Sequence, residues 1–150
     1  MIHNWLGVTD ETKHQAERMA ALGYAVFAAD IYGKGVRPKS PAEAGALAGK
    51  FKADRKLLRE RVALGLKTLR AQAEVEPARV VAAGYCFGGT SVLELARSGA
   101  DLKGVHAGTD AKLALASIED MKRIAREELA GMLDKLNAEP KVDGAKVRHG

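Results

Sequence analysis

Cysteine is nearly absent from this chain. Cys86 is the single thiol among 150 residues, so no internal disulfide can form. Aromatic residues make up only 5% of the sequence, and none follows Phe51 in the basic stretch 50–70, which leaves nucleic-acid bases nothing to stack on there. Long apolar runs are missing as well. Nothing approaches the roughly 18 consecutive apolar residues of a membrane span, so no membrane partner is expected. No basic segment followed by an apolar one opens the chain, so no signal peptide is expected, and the lone thiol then fits a reducing cytoplasm. The four histidines are scattered and show no paired spacing with one another or with the cysteine, so neither a metal nor another cofactor is expected.

What is present describes an ordinary globular domain. Hydrophobic residues are 47% and charged residues 29% of the chain. Its length suits one domain spanning residues 1–150, with no internal repeat. The formal net charge is +5. Lys50, Lys52, Arg55, Lys56, Arg59, Arg61, Lys67 and Arg70 crowd one segment against Asp54 and Glu60 alone. Leu58, Val62, Leu66 and Leu69 recur there at helical spacing. The charges therefore read as the outer face of a core-packed helix, and no nucleic-acid partner is expected.

Helix and strand signals alternate. Thr9 or Asp10 can cap a helix running to Leu22, with Gly23 just past its end. Residues 24–29 then read as a buried strand. A loop follows to Pro41, which suits the first turn of a helix. Helical sequence continues to about Glu74, weakened near Gly45 and Gly49, and Pro77 closes it. Arg79 to Ala83 reads as a strand, and residues 102–107 as another. A helix from Ser117, carrying Ile118, Met121, Ile124, Ala125, Met132 and Leu136 on its apolar stripe, and a weak strand over 145–148 complete the pattern. Strands alternating with helices imply an α/β fold, three layers with a mostly parallel sheet between helices.

Between the strand at Arg79 and the next helix stands Gly84-Tyr85-Cys86-Phe87-Gly88-Gly89. This is the Gly-x-nucleophile-x-Gly pattern of a nucleophile elbow, with Cys where Ser is usual. A residue at such a corner is held in strained backbone, so its neighbours two positions away must lack bulk. The helix that begins after Cys86 aims the positive end of its dipole at the sulfur, where negative charge is stabilised.

Three stretches together, His3-Asn4-Trp5-Leu6-Gly7, Ala28-Ala29-Asp30-Ile31-Tyr32-Gly33 and the elbow, resemble the dienelactone hydrolase family in order and separation. The likeness is strong from residue 2 to about residue 105 and weaker beyond. It implies an α/β-hydrolase-like fold, here incomplete, with the family's early strands missing before Met1. It also implies hydrolysis of an ester or lactone by a Cys-His-Asp triad. On that resemblance Cys86 is the nucleophile, and the backbone N–H groups of Trp5 and Phe87 form the oxyanion hole. Asp110 is the best match for the triad acid, with Asp101 a weaker one, and His149 is the one histidine near the family's catalytic position. His3 matches a structural part of the oxyanion loop, His106 matches a strand-end histidine without a catalytic role, and His14 reads as solvent-facing.

The chain departs from the family at three places. Asn4 stands where a carboxylate often sits beside the thiol. His106-Ala107-Gly108-Thr109-Asp110 follows Leu102 directly, as if two strands had been fused. The chain stops at His149-Gly150, where the loop bearing the catalytic histidine should begin. Two readings follow. One is a cysteine hydrolase acting through an acyl-enzyme on a small carboxylic ester or lactone. The alternative is a non-catalytic α/β-hydrolase remnant lacking that loop. A redox-reactive thiol protein is a third reading, but no second cysteine is present to resolve it. Loss of early strands would leave the apolar segment 24–29 as an exposed edge, so self-association through it is expected.

Overall fold

The computed structural model describes residues 1–108; Asp110, His149, the helix expected from Ser117 and the strand expected at 145–148 lie outside them. The described part holds four helices and two strands, three helices coming before the first strand: α1 (Asp10–Ala20), α2 (Pro41–Ala53), α3 (Arg55–Arg70), β1 (Val81–Tyr85), α4 (Phe87–Arg97) and β2 (Gly104–Gly108). None of these helices is long and apolar enough to cross a membrane.

The first helix ends two residues earlier than its sequence suggests. Ala21 is its C-cap, and Gly23 makes the reversal at φ +91°. The expected single helix after Pro41 is two helices. The glycines do not break it; Gly45 and Gly49 both lie inside α2. The break is Asp54, at φ −100° and ψ 82°. Its backbone N–H donates to Lys50 O at the end of α2, and its carboxylate accepts the Leu57 N–H at 2.9 Å. An Asp whose side chain satisfies an orphan donor of a new first turn competes with continuing the old helix. Ser40 does the same for α2, accepting from Glu43 N–H at 3.2 Å with Pro41 in the first turn. The second helix of the pair stops at Arg70, not Glu74.

β1 and β2 run parallel in the register Val81↔Gly104 through Tyr85↔Gly108. Residues 24–29 do not form the strand their apolar character predicts. Among the described residues they join the sheet at its end, where Ala29 bridges Ile2, and Ile2 in turn bridges Gly84, both in parallel sense. Three bonds make this junction: Met1 N to Phe27 O at 2.7 Å, Ala29 N–H to Met1 O at 2.9 Å, and Ile2 N–H to Ala83 O at 2.8 Å. A strand exists only where a neighbour supplies its ladder, and among the described residues the backbone bonds to segment 24–29 from that side come from Met1.

The core gathers Ile31, Tyr32, Phe51, Leu58, Val62, Phe87, Val92 and Leu95, all buried. α3 turns Leu58 and Val62 inward, as its periodicity predicts. Its basic face is not merely solvated. Arg59 bonds the Glu94 carboxylate at 2.9 Å, and Arg55 and Arg97 reach it at 3.2 and 2.9 Å. Glu94 is 1% exposed, so these charge-assisted bonds satisfy a carboxylate that would be costly alone, and they clamp α3 to α4.

The Arg59 hydrogen bond, supported by Arg97 and Arg55, holds the Glu94 carboxyl below its ordinary range. A carboxylate depressed in the folded state adds stability above its unfolded pKa and loses it as the pH falls through its folded pKa. We expect Glu94→Gln to lower the urea midpoint at pH 7. Relative to the parent chain, the variant should lose less midpoint between pH 5 and pH 3. Parallel midpoint profiles for the two proteins would contradict the clamp.

Candidate active site

Cys86 sits where β1 ends and α4 begins, as N-cap of the helix, at φ 55° and ψ −112°. It is the sole non-glycine residue with positive φ among the described residues. That conformation costs an L-residue on the order of 1–3 kcal/mol, so the surroundings must impose it. They do so by close packing of backbone on backbone. A Cβ on Gly84 would lie 2.3 Å from Gly88 O, and a Cβ on Gly88 would lie 2.4 Å from Ile2 O. The first turn of α4 is pressed against β1 on one side and the Ile2–His3 backbone on the other. The Cys86 N–H is tied to Gly108 O at 2.9 Å, and Thr90 N–H closes the first helical turn onto Cys86 O at 3.2 Å. With its backbone so held, the Cys86 side chain is exposed, while Phe87 beside it is fully buried.

The segment His3 to Gly7 forms the loop beside this corner. Asn4 Oδ1 accepts the Leu6 N–H at 2.9 Å, which folds the loop into a tight turn around Trp5. The Tyr32 hydroxyl donates to Trp5 O at 2.9 Å, so the Trp5–Leu6 peptide is held at both ends. Burial pushes the Tyr32 phenol up to about 12, and the negative charge of Cys86 as thiolate adds to the rise. The phenol is therefore a permanent donor at working pH, close enough to the sulfur to feel its charge. Neither Tyr32 nor its bond to Trp5 is assigned by the sequence reading, although Ile31-Tyr32-Gly33 is part of a stretch it singled out.

His3 is structural, as expected. It is 2% exposed, its Nδ1 is 2.5 Å from Asn4 O, and its Nε2 accepts the Ile31 N–H at 3.1 Å. Both ring nitrogens are thus engaged in the neutral form, with Nδ1 carrying the proton. The ring stacks on Phe87 at 5.6 Å and meets Tyr32 edge-on at 4.7 Å. Asp30 anchors the second loop, accepting Gly33 N–H at 3.1 Å and Arg37 Nη1 at 2.9 Å; Arg37 Nε also donates to Val8 O at 2.7 Å. That arginine bolts the 30–37 loop to the 3–8 loop.

The remaining candidates are dispersed. His14 is exposed on α1, as expected. His106 lies on β2, its ring 5.7 Å from that of Tyr85, and its Nε2 is buried with no hydrogen-bond partner. Asp101 precedes β2 and accepts from Arg70 through its backbone carbonyl. Because β1 and β2 are parallel, it stands at the end of the sheet opposite Cys86 and cannot serve the thiol. Asp110 and His149 lie outside the described residues. Among the described residues no group of three His, Cys, Asp or Glu side chains could hold a metal ion.

This geometry agrees with what the chain is similar to. The model of the dienelactone hydrolase family matches residues 1–135. The chain belongs to the dienelactone hydrolase family. Its fold is accordingly the α/β-hydrolase fold, present here in part. Among solved structures, one titled m3DLH is 39% identical with a TM-score of 0.67, and the match covers 69% of this chain and 43% of that one. A dienelactone hydrolase-like promiscuous phosphotriesterase from metagenomic libraries is 38% identical with a TM-score of 0.66, at the same coverage of 69% and 43%. This dienelactone hydrolase-family chain therefore aligns with less than half the length of those two proteins. No curated protein matches it.

Burial holds His3 below its ordinary value of 6.5, outweighing the bond to Asn4 and the nearby Asp30 carboxylate, with Arg37 opposing protonation as well. A histidine depressed in the fold binds its proton more readily when unfolded, so stability is full above pH 6.5 and declines as the pH falls through the folded pKa. We expect the urea midpoint to drop between pH 7.5 and pH 5. His3→Asn should start lower and show a flatter profile over that interval, and an equally steep one would place the titration elsewhere.

Proposed function

We propose that this chain is a hydrolase of small carboxylic esters or lactones that works through Cys86 and an acyl-enzyme. The single observation that carries the proposal is the conformation of Cys86: strained backbone, exposed thiol, and a position at the amino end of α4. The Cys86 sulfur attacks the carbonyl carbon and forms a tetrahedral adduct whose oxygen carries the negative charge. The N–H groups of Phe87 and Trp5 are assigned to that oxygen. Donors of this kind typically supply about 3 kcal/mol of transition-state stabilisation each. Collapse expels the alcohol or opens the lactone, leaving a thioester on Cys86. Water then releases the acid and restores the thiol.

His149 is the proposed carrier of the thiol proton to the leaving oxygen and the base for the water, with Asp110 its orienting acid. Asp110 follows Gly108 by two positions in the sequence, and Gly108 O holds the Cys86 N–H. Chain connectivity thus favours Asp110 over Asp101. Tyr32 holds the Trp5 carbonyl and so restrains the loop that carries the Trp5 N–H, although that N–H lies in the preceding peptide. A thiol nucleophile of this kind calls for a reducing setting such as the cytoplasm. The basic balance of the chain favours an anionic substrate.

Incubation with an activated acetyl ester should add one acetyl group to the chain, mapped to Cys86 by mass spectrometry, in a burst followed by slow turnover. Cys86→Ala should abolish the adduct. His149→Ala and Asp110→Asn should slow its hydrolysis more than its formation if they act as proposed. An unmodified Cys86, with no burst, would favour the non-catalytic alternative instead.

Tyr32→Phe removes one hydrogen bond worth about 0.5–1.5 kcal/mol. We expect the acylation rate to fall about two- to tenfold with KM little changed. A change in KM alone would mean that Tyr32 shapes binding rather than the oxyanion loop.

A further inference from the structure

The Trp5 N–H shares one peptide group with the Asn4 carbonyl, and the Tyr32 hydroxyl grips the next peptide along. What grips the Asn4–Trp5 peptide is His3, whose Nδ1 donates to Asn4 O at 2.5 Å. The other side of that imidazole is equally committed, because Nε2 accepts the Ile31 N–H at 3.1 Å. The ring has no room to pivot between the two. It is 2% exposed, with Phe87 stacked on it and Tyr32 edge-on. No bond among the described residues takes the Trp5 N–H itself, so this peptide is held by its oxygen while its hydrogen stays available. A carbonyl that accepts a hydrogen bond polarises its own peptide and makes the N–H at the other end a stronger donor.

On the reading of Trp5 as an oxyanion donor, we propose that His3 is its positioning residue: the neutral Nδ1–H tautomer aims and polarises the Trp5 N–H, and a proton on Nε2 disables it. Nε2 can accept the Ile31 N–H only while it carries no proton. Once protonated, two donors face each other across 3.1 Å. The replacement acceptor at hand is Asp30 Oδ1, 3.8 Å from Nε2 and already taken by the Gly33 N–H. Reaching it requires the ring to leave Ile31, and a ring that turns at Nε2 turns at Nδ1 too. Asn4 O then loses its donor, and the Trp5 N–H loses its aim.

Among the described residues, the groups around the ring keep it neutral. Asp30 is bonded to Arg37 at 2.9 Å, so the carboxylate that would favour an imidazolium is already paired. Tyr32 presents a neutral phenol, and α4 presents Phe87, with Cys86 one residue before it. Glu11 reaches only the Asn4 side-chain amide, at 3.3 Å. Burial outweighs the Asn4 bond and the Asp30 attraction and holds His3 below its ordinary value of 6.5, so the working tautomer is the resident one at pH 7. Mild acid should therefore switch the site off for a reason separate from protonation of the thiol.

Two reactions of Cys86 separate those causes. Alkylation by iodoacetamide needs the thiolate but no oxyanion donor, whereas acylation by an activated acetyl ester needs both. The ratio of the acylation rate to the alkylation rate cancels thiol ionisation. In the parent chain that ratio should fall about tenfold from pH 8 to pH 5, part of the roughly hundredfold or more that outright loss of a donor costs. His3→Ala should start about tenfold lower and stay flat. His3→Asn can present an amide N–H to Asn4 O without titrating, so it should recover part of the ratio, again with no pH dependence. A flat ratio in the parent chain, or variants that match it at pH 8, would overturn the proposal and leave His3 a packing residue. NMR gives a readout that needs no turnover. The Trp5 amide shift should follow the His3 titration in the parent chain and stay fixed in His3→Asn. A Trp5 shift that ignores His3 overturns the coupling. If the shift follows His3 while Cys86 alkylates but never acylates, the coupling stands and the hydrolase reading fails.

Discussion

The close backbone contact between Gly88 and the Ile2–His3 carbonyls governs this structure. A helix can start directly on top of a strand ladder only if no side chain intervenes, and glycine at 84 and 88 allows the two backbones to meet at distances a Cβ would forbid. That contact forces the chain through the corner at φ 55°, which in turn leaves the Cys86 side chain pointing out while Phe87 is driven into the core. Phe87 then stacks against His3 and packs with Tyr32 and Phe51, so the corner and the aromatic centre of the core are one assembly. The strain at Cys86 is thus held by packing that the rest of the fold needs anyway.

The loops beside the thiol are tied to the same centre by polar links. His3 bonds to Ile31, Tyr32 to Trp5, and Arg37 to both Asp30 and Val8. The His3–Ile31, Tyr32–Trp5 and Arg37–Val8 bonds cross from residues 3–8 to residues 30–37, and Asp30 holds Arg37 in place for its part, so the two loops are tied together. Such cross-links matter for a hydrolase because an oxyanion donor acts through exact placement, and a peptide plane free to rotate is worth little. Asn4 contributes to this geometry as a neutral acceptor, and its amide can turn the loop without bringing a charge to the sulfur.

The elbow was readable from residue types because its requirement is local. Two glycines, a nucleophile, an apolar run before and helical sequence after leave few other geometries. The helices α1 and α3 were readable for the same reason, since an amphipathic stripe encodes its own period. The segment 24–29 misled because a strand is not a local object. Its apolar composition states a preference, but the ladder must come from elsewhere, and among the described residues Met1 and Ile2 supply a short one. The break at Asp54 was missed for an opposite reason. Glycine looks like the weak point in the sequence, yet an exposed glycine in a helix costs only about 1 kcal/mol, whereas an aspartate able to cap a new turn offers a competing structure. The Arg55–Arg59–Glu94–Arg97 cluster was invisible in sequence because its members come from two helices that meet only after folding.

Ile2 links the two ends of the sheet energetically. Its carbonyl is the atom that the α4 turn packs against, and its N–H is the last rung of the incomplete ladder between residues 24–29 and β1. Whatever steadies that ladder steadies the surface on which the nucleophile corner rests. β1 accepts the Ile2 N–H at Ala83 O and ends at Cys86, so the Ile2 junction and the thiol corner share one short strand, and what holds one holds the other.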